Sequence, residues 1–251
     1  KNEIHANEIS ILPYYIAALN IEHTYQELKG DYKEFENICW MDTLDSGTKD
    51  FEKLTAYFVE NDNVKRISRQ QKSEICVVIG NPPYNAVQTS INNANPTDKY
   101  PEIDKKISND YSERSTVQGN IKAHDMYKRF LKWSSERING NGMVVFISNN
   151  SFLDAKADDG VRRALYDEFD YIYTVNLKGK SRDVTGEELK KEGENIFDVR
   201  VGVCITFFVK TGEGNSEIQK SEVEDYMGKE NKLKWLANNS LLTVELEKIV
   251  P

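Results

Sequence analysis

The sequence has few of the residues and patterns that mark several common classes of protein. It contains three cysteines and three histidines in 251 residues, and no Cys-x-x-Cys pair. Neither a metal centre nor a disulfide framework is therefore predicted, and the cysteines are expected to be small buried apolar side chains. Every apolar run is far shorter than the ~20 residues that span a bilayer. Residues 1–5 lack a signal-peptide pattern, so we predict neither export nor a membrane segment.

Positive charge is also scarce. There are 33 Lys and Arg residues against 41 Asp and Glu, a formal net charge of -8. Neutralising phosphates needs clustered basic residues, so this balance argues against a surface that coats nucleic acid in general. It is compatible with an enzyme that presents one base to a pocket and leaves most of the duplex to another domain. The length suits one large α/β domain, or at most two small ones.

The chain alternates short apolar runs with helical patterns, which indicates βαβ units and a mostly parallel sheet. We predict strands at 3–8, 38–42, 75–79, 143–147, 171–177 and 201–209, the last being the final strand. Helices are predicted at 11–28, 126–138, 162–169 and 229–237, and the segment 139–142 as a helix-to-strand turn. The unbroken run at 75–79 is typical of a strand buried on both faces. Two polar stretches, 85–118 and 178–195, are predicted as long loops, although the acidic run inside the second could be a short helix.

The motif Asn81-Pro82-Pro83-Tyr84 directly follows the predicted strand at 75–79 and Gly80. It therefore lies at the carboxyl end of that strand, where open α/β sheets bind ligands. The groups of this motif suit the exocyclic amine of a base such as adenine. That amine is a poor nucleophile, because its lone pair is delocalised into the ring. The Asn81 side-chain oxygen and the Pro82 carbonyl can hold the amino hydrogens and localise that lone pair. The two prolines stiffen the turn, and Tyr84 offers a flat face for a base taken out of a duplex. The alternative is a stiff turn without chemistry.

Two carboxylates end the first two predicted strands. Glu8 can accept hydrogen bonds from ribose hydroxyls, and Ile9 can pack on the adenine ring of a cofactor. Asp42 ends the second strand. The alternatives are a solvated or helix-start charge for Glu8 and a turn cap for Asp42. Glu8, Asp42 and Asn81 end three consecutive strands, so we expect them to form one row at the carboxyl edge of the sheet. The three residues together indicate a binding site more specifically than any one of them does alone.

The order of these residues resembles motifs II, III and IV of class gamma adenine-N6 DNA methyltransferases. The stretches 5–9, 14–18, 81–85 and 148–154 are similar to the methylase region of large single-chain, Type ISP-like restriction–modification enzymes. The resemblance implies an α/β fold with a Rossmann-like methyltransferase core that uses S-adenosylmethionine. It implies that Glu8 holds the ribose of this cofactor and Asp42 its adenine amino group, beside the Ile9 side chain suggested above for the adenine ring. The catalytic residues would be Asn81, Pro82 and Tyr84, acting on a flipped adenine of double-stranded DNA, with Pro83 and Phe197 also contacting the base.

The sequence departs from that family pattern at its start. The family opens with a strand and a glycine-rich turn, motif I, whereas this chain begins on the second strand. The target-recognition region is expected to continue past Pro251. We therefore expect a partial core in residues 1–212 and an extension in 213–251, from a larger protein of the bacterial cytoplasm. Such a fragment would be inactive alone.

Two alternatives to this function are open. One is a methyltransferase for RNA bases or for a protein glutamine, since both present a planar conjugated nitrogen. The other is a degenerate methyltransferase fold that binds DNA without catalysis.

Overall fold

A computed structural model describes residues 3–45, 62–84, 100–117, 121–214 and 216–249. The chain divides into two compact units, residues 1–74 and 75–251. Among the described residues, no helix combines the length and apolar character needed to cross a membrane.

In its described residues, 3–45 and 62–74, the first unit contains a pair of parallel strands and two helices. Its elements are β1 (Ala6–Glu8), α1 (Ile11–Lys29), β2 (Ile38–Trp40) and α2 (Asp62–Lys72). Glu8 lies opposite Trp40 in the register of β1 and β2. A small core of Cys39, Met41 and Ile67 joins β2 to α2. α1 ends at Gly30, whose φ of 81° is the left-handed conformation that favours glycine at a helix end.

The second unit is built on a six-stranded sheet. Its strands are β3 (Ile75–Gly80), β4 (Ile138–Asn149), β5 (Tyr171–Asn176), β6 (Val203–Lys210), β7 (Glu217–Glu222) and β8 (Glu247–Ile249). Their spatial order is β3-β4-β6-β5-β7-β8. β3, β4, β5 and β7 run in one direction, whereas β6 and β8 run antiparallel to their neighbours. Four of these six strands thus place their carboxyl ends at the same edge.

Helices connect these strands. They are α3 (Pro101–Ile107), α4 (Met126–Arg137), α5 (Ser151–Asp154), α6 (Asp159–Glu168), α7 (Gly186–Glu192) and α8 (Lys229–Asn238), with a π-helix at Ser108–Ser112. Large buried side chains from helices and strands fill the core; among them are Tyr111, Tyr127, Leu131, Val144, Phe169 and Phe208. Burial of such side chains is the main force that holds helices on a sheet.

Most of the predicted elements are confirmed with shifted ends. The helices predicted at 11–28, 126–138 and 229–237 are α1, α4 and α8, each within one residue at either end. The first strand is shorter than predicted, since only Ala6–Glu8 pairs with β2. The acidic run of the second polar stretch does form a short helix, α7. The predicted boundary between a core and an extension at residue 212 stays a prediction.

The prediction that the strand at 75–79 is buried on both faces was wrong. β3 lies at the edge of its sheet, and the side chains of Val77 and Ile79 are 43% and 77% exposed. Cys76 is exposed as well, while Cys39 and Cys204 are buried as expected. A run of β-branched residues predicts a strand, but it does not show which elements cover the faces of that strand.

Three other expectations about local structure are corrected. Part of the predicted loop at 85–118 is helical, because Pro101 occupies the first turn of α3, where a missing N–H costs nothing; residues 85–99 and 118 lie outside the described residues. The predicted turn at 139–142 belongs to β4, which passes Gly140 at a φ of +77°. The strand ending near Val209 is not the final one, since β7 and β8 extend the same sheet.

Candidate functional site

The motif Asn81-Pro82-Pro83-Tyr84 begins where β3 ends, at the carboxyl edge of the sheet. Pro82 is buried, whereas Asn81 and Pro83 are exposed. The Tyr84 hydroxyl donates to the Asn81 side-chain oxygen at 2.5 Å and lies 3.3 Å from the carbonyl of Ile147 in β4. A hydrogen bond within the motif thus fixes the Asn81 side-chain oxygen in a defined position at the surface.

Tyr84 is anchored by packing as well as by its hydroxyl. Its half-buried ring packs against a core cluster of Val175, Leu177, Val203 and Val223, which belong to or follow strands β5, β6 and β7. Burial raises the pKa of the Tyr84 hydroxyl to about 12, with a smaller contribution from nearby Cys204. The phenol therefore remains protonated at neutral pH, so it can donate a hydrogen bond but does not act as a base.

An asparagine bridge joins the carboxyl ends of the next two parallel strands. Asn150, just after β4, donates from its side chain to the Asn176 side-chain oxygen at the end of β5, at 2.9 Å. The Asn150 main-chain N–H donates to the carbonyl of Gly202 at 3.0 Å. A Cβ added to Gly202 would lie 2.4 Å from the Asn150 side-chain nitrogen, so glycine is required there for close approach.

The connection between β5 and β6, residues 178–201, forms a braced segment beside the motif. Asn195 organises it: its side-chain nitrogen donates to the carbonyls of Gly179 and Val201, and its oxygen accepts from the N–H of Phe197 at 2.9 Å. The fully buried Lys232 of α8 donates to the carbonyls of Glu192 and Glu194 at 3.0 and 2.7 Å.

Backbone strain is concentrated in the same segment. Three of the four non-glycine residues with positive φ in the described chain lie here: Lys178, Asp183 and Asp198, at 56°, 62° and 58°. Such conformations persist only where the surroundings enforce them, and they cluster at functional sites.

A cavity of about 740 Å³ lies between the motif and this segment. Pro83 and Tyr84 form part of its wall, and the segment contributes Arg182, Asp183 and Arg200 among others. This volume is within the range of about 300–1,000 Å³ usual for ligand pockets. The two arginines carry the positive charge of the wall, and sequence reasoning missed both, because residues 182 and 200 meet only through the fold.

Phe197 lies in the braced segment between β5 and β6. It is 42% exposed and is held through its main-chain N–H by Asn195, while Ile196 before it packs against the core cluster that also contacts Tyr84. Phe197 does not belong to the wall of the cavity as the described residues form it. Its predicted contact with the target base stays a prediction.

The predicted cofactor residues lie in the first unit. The Glu8 carboxylate accepts from the N–H of Ser10 at 2.8 Å through one oxygen, and Asp42 accepts from the N–H of Leu44 at 2.9 Å. Glu8 is the last residue of β1 and Asp42 comes two residues after β2, its parallel neighbour, so both lie at the carboxyl edge of that pair. The Ile9 side chain is 59% exposed. The expected row that joins Glu8 and Asp42 to Asn81 crosses from one unit to the other and stays a prediction.

A mostly parallel sheet flanked by helices, with Asn-Pro-Pro-Tyr at a strand's carboxyl end, defines the class as a Rossmann-like methyltransferase fold. The Eco57I restriction-modification methylase family matches residues 2–182, and the chain belongs to this family.

Three solved structures are similar over nearly the whole chain. DrdV, in a cryoEM structure of its DNA complex, is 40% identical over 98% of this chain, with a TM-score of 0.90. LlaBIII, an ATP-dependent Type ISP restriction-modification enzyme bound to DNA, is 38% identical over 100%, with a TM-score of 0.90. A nuclease-deletion mutant of the Type ISP enzyme LlaGI, with a DNA substrate mimic, is 37% identical over 98%, with a TM-score of 0.91. The chain spans 24%, 17% and 20% of the lengths of these three proteins.

Proposed function

We propose that this chain forms the methyltransferase part of a restriction–modification protein of the bacterial cytoplasm. It would transfer a methyl group from S-adenosylmethionine to N6 of an adenine taken out of double-stranded DNA. The observation that carries the proposal is the Asn81 side-chain oxygen, held by the hydroxyl of Tyr84, which itself lines a cavity large enough for a nucleotide. The DNA-bound relatives support the substrate class, since each contains a region similar to this chain.

The motif residues have separate tasks in this proposal. Asn81 accepts one hydrogen of the adenine amine through its side-chain oxygen, and the Pro82 carbonyl accepts the other. The base stacks on the face of Tyr84, a contact worth about 1–3 kcal/mol. These contacts hold the nitrogen lone pair out of conjugation and in a fixed direction, which is electrostatic and geometric preorganisation. The amine would lose its proton to water after the methyl group has arrived, so none of the motif residues has to act as a base. The raised pKa of Tyr84 fits this division, because the phenol holds its proton throughout.

Three side chains of the first unit fit the ribose and adenine parts of the cofactor. Two carboxylates at neighbouring strand ends suit ribose hydroxyls and an adenine amino group, and the exposed Ile9 suits the face of the adenine ring. When bound, S-adenosylmethionine would supply an electrophilic methyl group on a sulfonium. Glu8, Ile9 and Asp42 would position it and take no part in moving a proton.

The decisive experiment is product analysis with the full natural protein. Unmethylated bacterial DNA is incubated with the protein and S-adenosylmethionine, then digested to nucleosides and analysed by mass spectrometry. We expect N6-methyladenine. Asn81→Ala should reduce its formation by roughly 10²–10³-fold, as the loss of one preorganised hydrogen-bond partner of a transition state does. Asn238→Ala, at the exposed end of α8, is the matched control and should have no effect.

Other products would contradict the proposal. Methylated cytosine in DNA, or methyl transfer confined to RNA or protein, would replace adenine as the substrate. DNA methylation unchanged by Asn81→Ala would remove the motif from the chemistry and favour a fold that only binds DNA.

A further inference from the structure

We propose that Arg200, assisted by Arg182, binds the backbone phosphate attached to the nucleotide whose base lies on Tyr84. The inference rests on the proposed function and deepens it, because it assigns a second contact to the same nucleotide. It starts from the cavity of about 740 Å³, whose wall contains both Tyr84 and the two arginines. A base stacked on Tyr84 would enter this cavity, so the sugar and phosphate attached to it would be within reach of the arginines that line the same cavity.

The charges around the cavity favour an anion at Arg200. Within the described residues, the Arg200 guanidinium has no ion pair and no hydrogen-bond partner, and the residue is exposed. Arg182 is less available, since its Nε lies 3.8 Å from the Asp183 carboxylate. Lys178 is already neutralised by Glu222 and by Asp225, with Nζ at 3.6 and 2.5 Å from their oxygens. The named side chains of the wall thus leave one uncompensated positive charge, which lies on a guanidinium suited to bind phosphate with two parallel hydrogen bonds.

The backbone around Arg200 is fixed independently of its side chain. Its carbonyl accepts from the N–H of Ser181 and of Arg182, at 3.1 and 3.0 Å. Asn195 binds the carbonyl of the next residue, Val201, at 2.7 Å. The guanidinium therefore projects from a rigid frame, which lowers the entropy cost of ordering it on a phosphate. For the same reason, replacing this side chain should leave the segment folded.

The overall acidic charge of the chain helps to assign a role to the positive charge of Arg200. The formal net charge of this chain is -8, so its overall charge does not attract DNA. An uncompensated arginine at the wall of the base cavity therefore acts locally: it would orient one nucleotide rather than attract the duplex.

The test compares adenosine, adenosine 5′-monophosphate, adenosine 3′-monophosphate and inorganic phosphate as ligands of the full natural protein. Saturating S-adenosylhomocysteine is present to fill the cofactor site, and binding is followed by ligand-observed NMR. We expect one of the two monophosphates to bind about tenfold more tightly than adenosine, as one charge-assisted contact predicts. Arg200→Gln should abolish that preference and leave adenosine binding unchanged. Arg182→Gln should reduce the preference by a smaller factor.

The control is Arg163→Gln, because Arg163 is an exposed arginine whose one partner in the described part of the chain is the carbonyl of Arg114. This variant should keep the full preference. Unchanged adenosine binding by Arg200→Gln shows that the variant is folded.

The outcomes separate the two proposals. Adenosine binding without any preference for a phosphate, or a preference that survives Arg200→Gln, would overturn the role of Arg200 and leave the proposed function intact. Inorganic phosphate binding as tightly as the better monophosphate would show a free-anion site and overturn the assignment to a nucleotide. Failure of both adenosine and the nucleotides to bind would contradict the base pocket itself.

Discussion

Tyr84 offers a direct way to separate the two tasks of the motif, because its ring and its hydroxyl make different contacts. Tyr84→Phe removes the hydrogen bond to Asn81 at 2.5 Å and the weaker contact with Ile147. It keeps the ring, which packs on the core cluster around Val175 and Leu177. Loss of one partly exposed hydrogen bond should lower the free energy of unfolding by about 0.5–1.5 kcal/mol.

Tyr84→Ala removes the ring as well. Truncating a fully buried aromatic residue costs about 3–5 kcal/mol, so a half-buried one should cost roughly 2 kcal/mol of stability. Loss of base stacking adds a functional effect of about 1–3 kcal/mol, which corresponds to a roughly 5- to 150-fold fall in kcat/KM. Tyr84→Phe should keep kcat/KM within about threefold of the natural protein, because the freed Asn81 oxygen can still accept from the base.

The assay is methyl incorporation into unmethylated DNA by the full natural protein, measured beside thermal unfolding of each variant. If Tyr84→Phe loses as much kcat/KM as Tyr84→Ala while both remain folded, the hydroxyl and not the ring face carries the function. The stacking argument would then be refuted.

Two further predictions concern the frame of the site. Gly202→Ala would place a Cβ 2.4 Å from the Asn150 side chain and break the hydrogen bond from Asn150 to Asn176. We expect the free energy of unfolding in urea to fall by about 1–3 kcal/mol. An unchanged urea midpoint would contradict the close approach of Gly202 and Asn150. Burial lowers the pKa of Lys232 to about 8, below its ordinary value of 10.5. The unfolded chain therefore binds more protons between these values, and this group's contribution to the unfolding free energy rises with pH, by up to about 2 kcal/mol from pH 7.5 to 9.5. Lys232→Met should lack that rise with pH; the same pH dependence in both proteins would refute the assignment.

The sequence by itself was sufficient for the local features of this protein. The apolar run before Asn81 predicted β3, and the two prolines fixed the position of the motif just after it, because these are effects of neighbouring residues on backbone geometry. The same holds for α1, α4 and α8, whose periodic patterns are long enough to mark their ends closely. The family followed from motif order along the chain, which needs no tertiary information.

What covers β3 and what surrounds the motif depended on tertiary structure. Val77 and Ile79 share one face of β3, and within the described residues that face is left partly uncovered, which the run itself does not encode. The cavity beside Tyr84 depends on contacts between residues about 100 positions apart. Of its arginines, Arg182 lies in the stretch 178–195 that the sequence marks only as polar, and Arg200 lies between that stretch and the predicted strand at 201–209. Side-chain type and spacing determine local conformation, but a binding site made from distant segments exists only once the sheet order has brought their ends together.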